Sequence, residues 1–273
     1  MANRTVFIVS DRTGITAETL SHALLTQFPT INFTTVALPF VDTSEKALET
    51  LQRVNQDAQQ SGIRPLVFTT FIDDELRSTV ASGDGVFFDM FEAFIGPLER
   101  ELGVESSHTV GKSHGVIDPD EYTSRIGAVN YSMRTDDGVS MTEYNRAGII
   151  ILGVSRSGKT PTCLYLALHF GIYAANYPIT EEDLDRGRLP DDVIQSRKKL
   201  FGLTIDPERL RQIREERRAN SRYAQLRQCR YEVAQAVALF RREGIPYIDV
   251  TAMSIEEIGT TILHKARMRR QLY

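Results

Sequence analysis

GIIILGVSRSGKT, which runs from Gly148 to Thr160, is the stretch of the sequence that decides the fold. It opens with an apolar run typical of a buried strand, and from Gly153 it matches the pattern Gly-x-x-x-x-Gly-Lys-Thr in full. Apolar residues at helical spacing follow Thr160, so a strand, a glycine-rich loop and a helix are predicted in succession. This order predicts an α/β domain whose loop binds phosphate groups through backbone N–H groups and a helix N-terminus.

The residues of this loop suit phosphate chemistry. Glycine at positions 153 and 158 lets the backbone approach a phosphate chain closely. We expect Lys159 to act as a catalytic cation on the terminal phosphoryl oxygens and the Thr160 hydroxyl to ligate Mg²⁺. The whole loop is predicted to bind the nucleotide: Gly153, Val154, Ser155, Arg156, Ser157, Gly158, Lys159 and Thr160. For Arg156 and Ser157 the alternative is a solvated loop residue.

The helix after the loop is predicted to bury one apolar face and to stop at Gly171. The residues predicted for that face are Cys163, Leu164, Ala167, Leu168 and Phe170. Further strands are predicted near 172–174, 201–204 and 247–250. Asp206 followed by Pro207 predicts a helix start, and Ser254 with Glu257 predicts a capping box. Residues 147–273 therefore form the predicted C-terminal P-loop kinase-like α/β domain.

The first hundred or so residues alternate strand and helix patterns in the same way. Strands are predicted at 5–9, 33–38, 66–71 and 86–88, and helices are predicted to begin near Thr16, Ser44, Asp73 and Glu92. Residues 1–103 are thus predicted to form an N-terminal three-layer α/β domain with a mostly parallel sheet. Residues 104–146 collect Gly, Ser, Asp and His and are predicted to be a connector.

Composition and charge restrict the partners. The 273 residues are 41% hydrophobic and 25% charged, which suits an ordinary globular chain of two domains. A net charge of -4 supplies no overall field for nucleic acid or an anionic membrane, so we expect neither as a partner. Two distant cysteines and the lack of an apolar leader favour a reducing, cytoplasmic setting.

Other features narrow the class of P-loop protein. No Asn-Lys-x-Asp motif follows the loop, which disfavours a GTPase, and the short domain favours a compact phosphotransferase. Between Arg209 and Arg230 lie eight arginines against two glutamates, which either close over a phosphate chain or form a solvated helix face. Asp206 and Asp249 are candidates for a catalytic base or Mg²⁺ ligand, although Asp206 is equally suited to helix capping.

Motifs along nearly the whole chain resemble those of the bacterial phosphoenolpyruvate synthase regulatory proteins, close kin of the plant pyruvate, phosphate dikinase regulatory proteins. The motifs are SDRTGITAE at 10–18, ALPFV at 37–41, RPLVF at 64–68, DDG at 136–138, GVSRSGKTPT at 153–162, AANYP at 174–178 and LFGLTIDPERL at 200–210.

This resemblance implies a bifunctional serine/threonine kinase and phosphorylase. The kinase would use ADP to phosphorylate a threonine of phosphoenolpyruvate synthase, and the phosphorylase would remove that phosphate with inorganic phosphate, releasing pyrophosphate. The ADP site would lie on the loop from Gly153 to Thr160. A small-molecule kinase and a non-catalytic nucleotide-sensing module are the alternatives, and a homo-oligomer is left open.

Two further groups of polar residues are weaker candidates. Ser10, Asp11 and Thr13 follow the first predicted strand and form a second functional edge, or else Thr13 or Thr16 caps the next helix. His108 and His114 are either polar ligands or a base, or else surface residues, and a metal site there would need more ligands.

Overall fold

The computed structural model describes residues 3–107, 119–136 and 141–268. The chain divides into two compact units, Met1–Gly115 and Val116–Tyr273, and each contains a four-stranded sheet with its own hydrophobic core. The predicted α/β class with two domains is therefore confirmed. Among the described residues, no helix has both the length and the apolar character needed to cross a membrane.

Strands and helices alternate along the first unit. The strands are β1 (Asn3–Ser10), β2 (Asn32–Leu38), β3 (Leu66–Thr70) and β4 (Val86–Asp89). The helices are α1 (Ile15–Leu25), α2 (Ser44–Ser61), α3 (Asp74–Ala81) and α4 (Glu92–Leu102). The strands are arranged in the order β2-β1-β3-β4. All the described pairings are parallel, because each crossover helix returns the chain to the end of the sheet at which the strands begin.

Both faces of the first sheet are covered. Along β1, Phe7 and Val9 pack into one apolar cluster with residues of α2 and α3, whereas Val6 and Ile8 pack into another with residues of α1. Successive side chains of a strand point to opposite faces, so a continuous apolar run suits a strand buried on both sides. The sheet and its two helical faces form the three layers that the sequence predicted.

The second unit repeats this strand order. Its strands are β5 (Ile149–Gly153), β6 (Ala174–Pro178), β7 (Leu200–Thr204) and β8 (Tyr247–Asp249). Its helices are α5 (Pro119–Arg134), α6 (Lys159–Phe170), α7 (Glu181–Arg186), α8 (Asp191–Ile194), α9 (Pro207–Arg217), α10 (Leu226–Glu243) and α11 (Ile255–Lys265). The sheet order is β6-β5-β7-β8, again parallel at each described pairing.

Strand β5 lies inside this sheet and is buried along its whole length. The core around it contains isoleucine and leucine side chains from β5, β7 and β8, and Ala174, Ala175 and Tyr177 from β6, together with Phe170 and Phe240 from α6 and α10. Because the strands are parallel, their carboxyl ends meet at one edge of the sheet. The loop from Gly153 to Thr160 leaves β5 at that edge.

The helix boundaries follow the predicted capping chemistry. Asp206 caps α9, because its Oδ1 accepts the N–H groups of Glu208 and Arg209, each at 2.9 Å. Ser254 and Glu257 form the predicted capping box of α11. Gly171 adopts a left-handed conformation with φ of 61° and ends α6. These three predictions are confirmed.

Two predictions on the second unit were wrong in detail. Strand β6 begins at Ala174, the last residue of the predicted strand 172–174. Leu168 is 52% exposed, and Leu166 is buried in its place. The helical period explains the second difference, because residues 163, 166, 167 and 170 share one face and residue 168 lies off it.

The range predicted as a connector contains α5, which the sequence did not predict. Weak helix formers such as Thr, Asn and Gly hide its period. Gly127 allows close approach there, because a Cβ would lie 2.7 Å from the Tyr173 hydroxyl and would displace that side chain. The Ser132 hydroxyl donates to the Ala174 carbonyl of β6 at 2.7 Å, and Tyr144 donates to the Asn176 carbonyl at 3.1 Å. These contacts attach α5 and the following 3₁₀ turn to the second unit.

Candidate active site

The loop from Gly153 to Thr160 turns directly from β5 into α6. Gly158, with φ of 86°, is the N-cap residue of α6 and has no side chain to cap the helix. The first N–H groups of α6 are therefore without a side-chain partner at their own N-cap, which is the arrangement that favours an anion at a helix N-terminus. The predicted strand, loop and helix are all present.

Gly153 is needed for close packing. A Cβ at this position would lie 2.8 Å from the Leu203 carbonyl of β7 and would overlap the Ser157 hydroxyl. Gly158 is needed for a different reason, because the space around it is open but its backbone is left-handed. The two fixed glycines of the motif thus meet separate constraints, one from packing and one from conformation.

Lys159 and Ser157 are both buried within the loop. The Lys159 ammonium donates to the Val154 carbonyl at 3.0 Å, so the lysine closes the loop on itself. The Ser157 hydroxyl oxygen is buried without a hydrogen-bond partner among the described residues. Ser157 is therefore not the solvated residue that the sequence left as an alternative.

A cluster of three polar side chains lies at the start of α6. The Thr160 hydroxyl donates to Asp136 Oδ1 at 2.8 Å, and Asn176 Nδ2 donates to the same oxygen at 2.5 Å. Asn176 Nδ2 also lies 3.1 Å from Thr160 Oγ1. Asn176 is fully buried, and its Oδ1 has no partner in the described part of the chain. A carboxylate from the segment just after α5, a hydroxyl from α6 and an amide from β6 thus converge.

The loop borders a cavity of about 850 Å³. Its described lining is Asp136, Ser155, Arg156, Gly158, Lys159, Thr160, Pro161, Ile213, Arg217, Arg218 and Tyr223. Four of these side chains are cationic and one is a carboxylate. Arg156, Arg217 and Arg218 form no ion pair with any described residue, so their charge is available to a ligand. The cavity is suited to a polyanion.

Five of the eight arginines between 209 and 230 lie in three different environments. Arg217 and Arg218 line the cavity, as the alternative of closing over a phosphate chain requires. Arg222 and Arg230 lie in exposed ion pairs with Glu181 and Glu208, and such pairs contribute little to stability. Arg214 is completely buried. The solvated helix face that the sequence left open thus describes only part of the group.

Asp206 and Asp249 are outside the described lining of the cavity. Asp206 holds the first N–H groups of α9. Asp249 Oδ1 accepts the backbone N–H and the hydroxyl of Thr251. The structure brings Lys159 and Thr160 to the cavity with the rest of the loop, but it gives both of these aspartates local structural contacts.

The two cysteines are buried and unpaired. Burial raises the pKa of the Cys163 thiol well above its ordinary value, and the nearby Asp136 carboxylate acts in the same direction. Burial also raises the pKa of Cys229, against the effect of Arg214. Neither thiol has the lowered pKa of a nucleophilic cysteine.

In the first unit, the Ser10–Thr16 segment borders a small cavity with Thr70, Ile72 and Phe91. The Ser10 hydroxyl accepts from Arg12 N and from the Thr70 hydroxyl. Burial raises the pKa of Asp11, whose Oδ2 lies 3.4 Å from Ile72 N. The N-cap of α1 is Gly14 without a side-chain bond, so capping by Thr13 or Thr16 was wrong.

Some residues that the sequence singled out lie outside the described residues. They are His108, His114, Asp137 and Gly138. Two residues of the site were missed by the sequence analysis. Asp136 and Asn176 were not predicted as site residues. Their only signal was that they stand in the DDG and AANYP motifs, which gave no reason for them to meet at Thr160.

Comparison with known proteins places these features in a family context. The family model described as kinase/pyrophosphorylase matches residues 6–263. A protein of Alkalilimnicola ehrlichii is 56% identical over 100% of this chain and 99% of its own length. Relatives from Halorhodospira halophila and Bordetella pertussis are 54% and 49% identical, over 98% of this chain and 98% and 97% of their own. All three carry the provisional name phosphoenolpyruvate synthase regulatory protein.

Proposed function

The chain belongs to the kinase/pyrophosphorylase family, and from this we propose that it reversibly phosphorylates a threonine of phosphoenolpyruvate synthase. In the kinase direction, the β-phosphoryl group of ADP passes to the threonine hydroxyl and AMP leaves. In the phosphorylase direction, inorganic phosphate takes the group from phosphothreonine, so that pyrophosphate leaves and the hydroxyl is restored. The first reaction inactivates the partner enzyme and the second reactivates it.

The observation that carries the proposal is the charge of the cavity. Arg156, Lys159, Arg217 and Arg218 surround it with a single described carboxylate, Asp136. Phosphoryl transfer needs positive charge around the transferred group more than it needs covalent chemistry. In each direction two negatively charged phosphate groups must lie side by side. Four cationic side chains offset that charge better than a single loop lysine would.

The same cavity serves both directions under this proposal. The β-phosphate of ADP and the incoming inorganic phosphate would each lie against the backbone of the Gly153–Thr160 loop, beside Lys159. The reacting hydroxyl of the partner would approach from the cavity side, where Arg217 and Arg218 are exposed. One binding loop would then explain why two opposite reactions belong to one small domain.

The residues around Thr160 fit a magnesium ion. Mg²⁺ prefers oxygen ligands and is commonly held by one or two protein groups together with phosphate oxygens and water. Thr160 Oγ1 and the Asp136 carboxylate are already in contact, and the Asn176 side chain orients both. When bound, the ion would neutralise charge on the phosphate oxygens. Asp206 is outside the proposal, since its carboxylate caps α9.

Labelled nucleotide tests the proposal directly. The protein is incubated with phosphoenolpyruvate synthase and either ADP labelled at the β-phosphorus or ATP labelled at the γ-phosphorus. We expect label on a partner threonine from ADP, and its release as pyrophosphate when unlabelled phosphate is added. A small-molecule kinase or a nucleotide-sensing module would leave the partner unlabelled. An unlabelled partner would therefore overturn the proposal.

The variant Lys159→Ala tests the shared loop. Lysine supplies charge at the transferred group in both directions, so kinase and phosphorylase activities should fall together by about 100-fold or more. Lys198→Ala is the matched control, because this exposed lysine of the same unit lies outside the lining of the cavity. Retention of either activity near the wild-type rate in Lys159→Ala would contradict a shared site.

A further inference from the structure

Arg214 is a charged side chain with no exposure to solvent. It lies on α9, and its Nη2 pairs with Glu232 Oε2 of α10 at 2.5 Å, where the Glu232 side chain is only 11% exposed. A buried ion pair pays a large desolvation cost, and replacing it with well-packed apolar residues is often harmless to stability. Stability alone therefore does not explain why an arginine occupies this position.

The remaining donors of Arg214 are directed at the backbone of the phosphate-binding loop and of the segment that faces it. Nε and Nη2 both donate to the Ser155 carbonyl, at 3.3 and 3.1 Å, and Nη1 donates to the Tyr223 carbonyl at 3.0 Å. The guanidinium also lies over the Tyr223 ring, 4.1 Å from its centre. The Tyr223 hydroxyl completes the link, because it lies 2.7 Å from Ser155 Oγ.

The bonds to the Ser155 carbonyl determine the orientation of a peptide group. In a planar trans peptide the C=O and the following N–H point in opposite directions. With its carbonyl held by Arg214, the Ser155–Arg156 peptide must direct the Arg156 N–H away from the buried guanidinium. Arg156 has φ of 72°, a left-handed conformation that is strained for residues other than glycine and persists only where neighbours enforce it. Two parallel N–H donors are such a constraint.

We infer that Arg214 is a positioning residue for anion binding, which fixes the Ser155–Arg156 peptide so that the Arg156 N–H faces a phosphate. It does so from behind the loop, without touching the ligand itself. Through Tyr223 it also holds the segment that carries Arg217 and Arg218 beside the loop. This inference rests on the proposed function, in that the ligand of the loop is a phosphate group.

The test separates anion binding from folding. Arg214→Met with Glu232→Met removes both buried charges at similar volume, and the pair of Arg230→Met with Glu208→Met is the control. Arg230 and Glu208 also join α9 and α10, by an exposed ion pair of 3.3 Å that does not reach the loop. Thermal unfolding reports folding, and calorimetric titration with ADP and with inorganic phosphate reports binding.

We expect the buried double variant to fold and to bind both ligands about 10- to 100-fold more weakly, as the loss of an N–H bond to a charged group implies. The control should bind both as the wild type does. Arg214→Lys should also bind both ligands more weakly than the wild type, because one ammonium cannot supply parallel donors to Ser155 and reach Tyr223.

Each result decides the matter. Wild-type affinity in the folded double variant, or full binding in Arg214→Lys, would overturn the positioning role while leaving the proposed function intact. If the double variant does not fold, the affinity of Arg214→Lys for ADP and phosphate decides instead, because this variant keeps a cation for Glu232. A wild-type protein that binds neither ADP nor phosphate would refute the proposed function and this inference together.

Discussion

The substitution Gly153→Ala tests the packing of the loop from Gly153 to Thr160 without changing a polar residue. The new methyl group would lie 2.8 Å from the Leu203 carbonyl and would overlap the Ser157 hydroxyl. Neither neighbour can yield easily, because Leu203 is a fully buried residue of β7 paired with Ile248 of β8, and Ser157 is 1% exposed. The methyl group therefore has to displace a strand or distort the loop.

Overpacking of this kind costs about 1–3 kcal/mol in a buried site. For a unit of this size, each kcal/mol corresponds to roughly 2–4 °C in the unfolding temperature, so a decrease of about 2–12 °C is expected. Calorimetric unfolding of the full chain, with and without ADP, measures the decrease. Because the strain falls on the loop itself, the stabilisation expected from the proposed ligand ADP should shrink as well.

Gly148→Ala provides the matched control at the other end of β5. A Cβ there meets its nearest neighbours at 3.5–3.7 Å, an ordinary contact distance. It should leave the unfolding temperature unchanged or raise it slightly, since alanine restricts the unfolded chain by about 0.4–1 kcal/mol. Equal unfolding temperatures for the two variants would refute the close packing of Gly153 against β7.

Two further predictions concern titratable groups. Burial raises the pKa of Asp11 in the folded state, so the group favours folding fully only below its ordinary value of 3.8 and loses that contribution as the pH rises through the raised pKa. Asp11→Asn should therefore stabilise the first unit in urea unfolding at pH 7, with a gain that shrinks toward pH 4; a constant gain would contradict the burial argument. Cys163 and Cys229, buried with raised pKa values, should react with a maleimide only after unfolding by denaturant, as followed by mass spectrometry; fast labelling of the native chain would contradict their burial.

The fold followed closely from local patterns in the sequence. The predicted starts of the five strands that precede the loop agree with β1 to β5 within about two residues, because β-branched runs between turn residues are strong signals. Helix α5 was not predicted because its buried face is made by Ala128, Tyr131 and Ser132, which lack a clear apolar period. Its place is decided by contacts with β6, some forty residues along the chain.

The candidate site could be predicted from the sequence only in part, for a related reason. The loop is local, so its strand, glycines and helix are all readable from Gly148 to Thr160. Asp136 and Asn176 meet Thr160 only after β6 and α5 are packed together. Arg214 resembled the other arginines of α9 in the sequence, and only its tertiary contacts with Glu232, Ser155 and Tyr223 show that it is buried. Tertiary contacts of this kind leave no periodic trace in the sequence.

Strand β6 is an outer strand of the second sheet, and an uncovered outer strand is a template for pairing with another chain. The hydroxyls of Ser132 and Tyr144 occupy the carbonyls of Ala174 and Asn176 on this strand, and both residues precede position 147. A fragment that starts at Ala147 would keep all four strands but uncover these carbonyls. Self-association through the bare edge would then follow, whereas a fragment from Val116 onward would retain its protection.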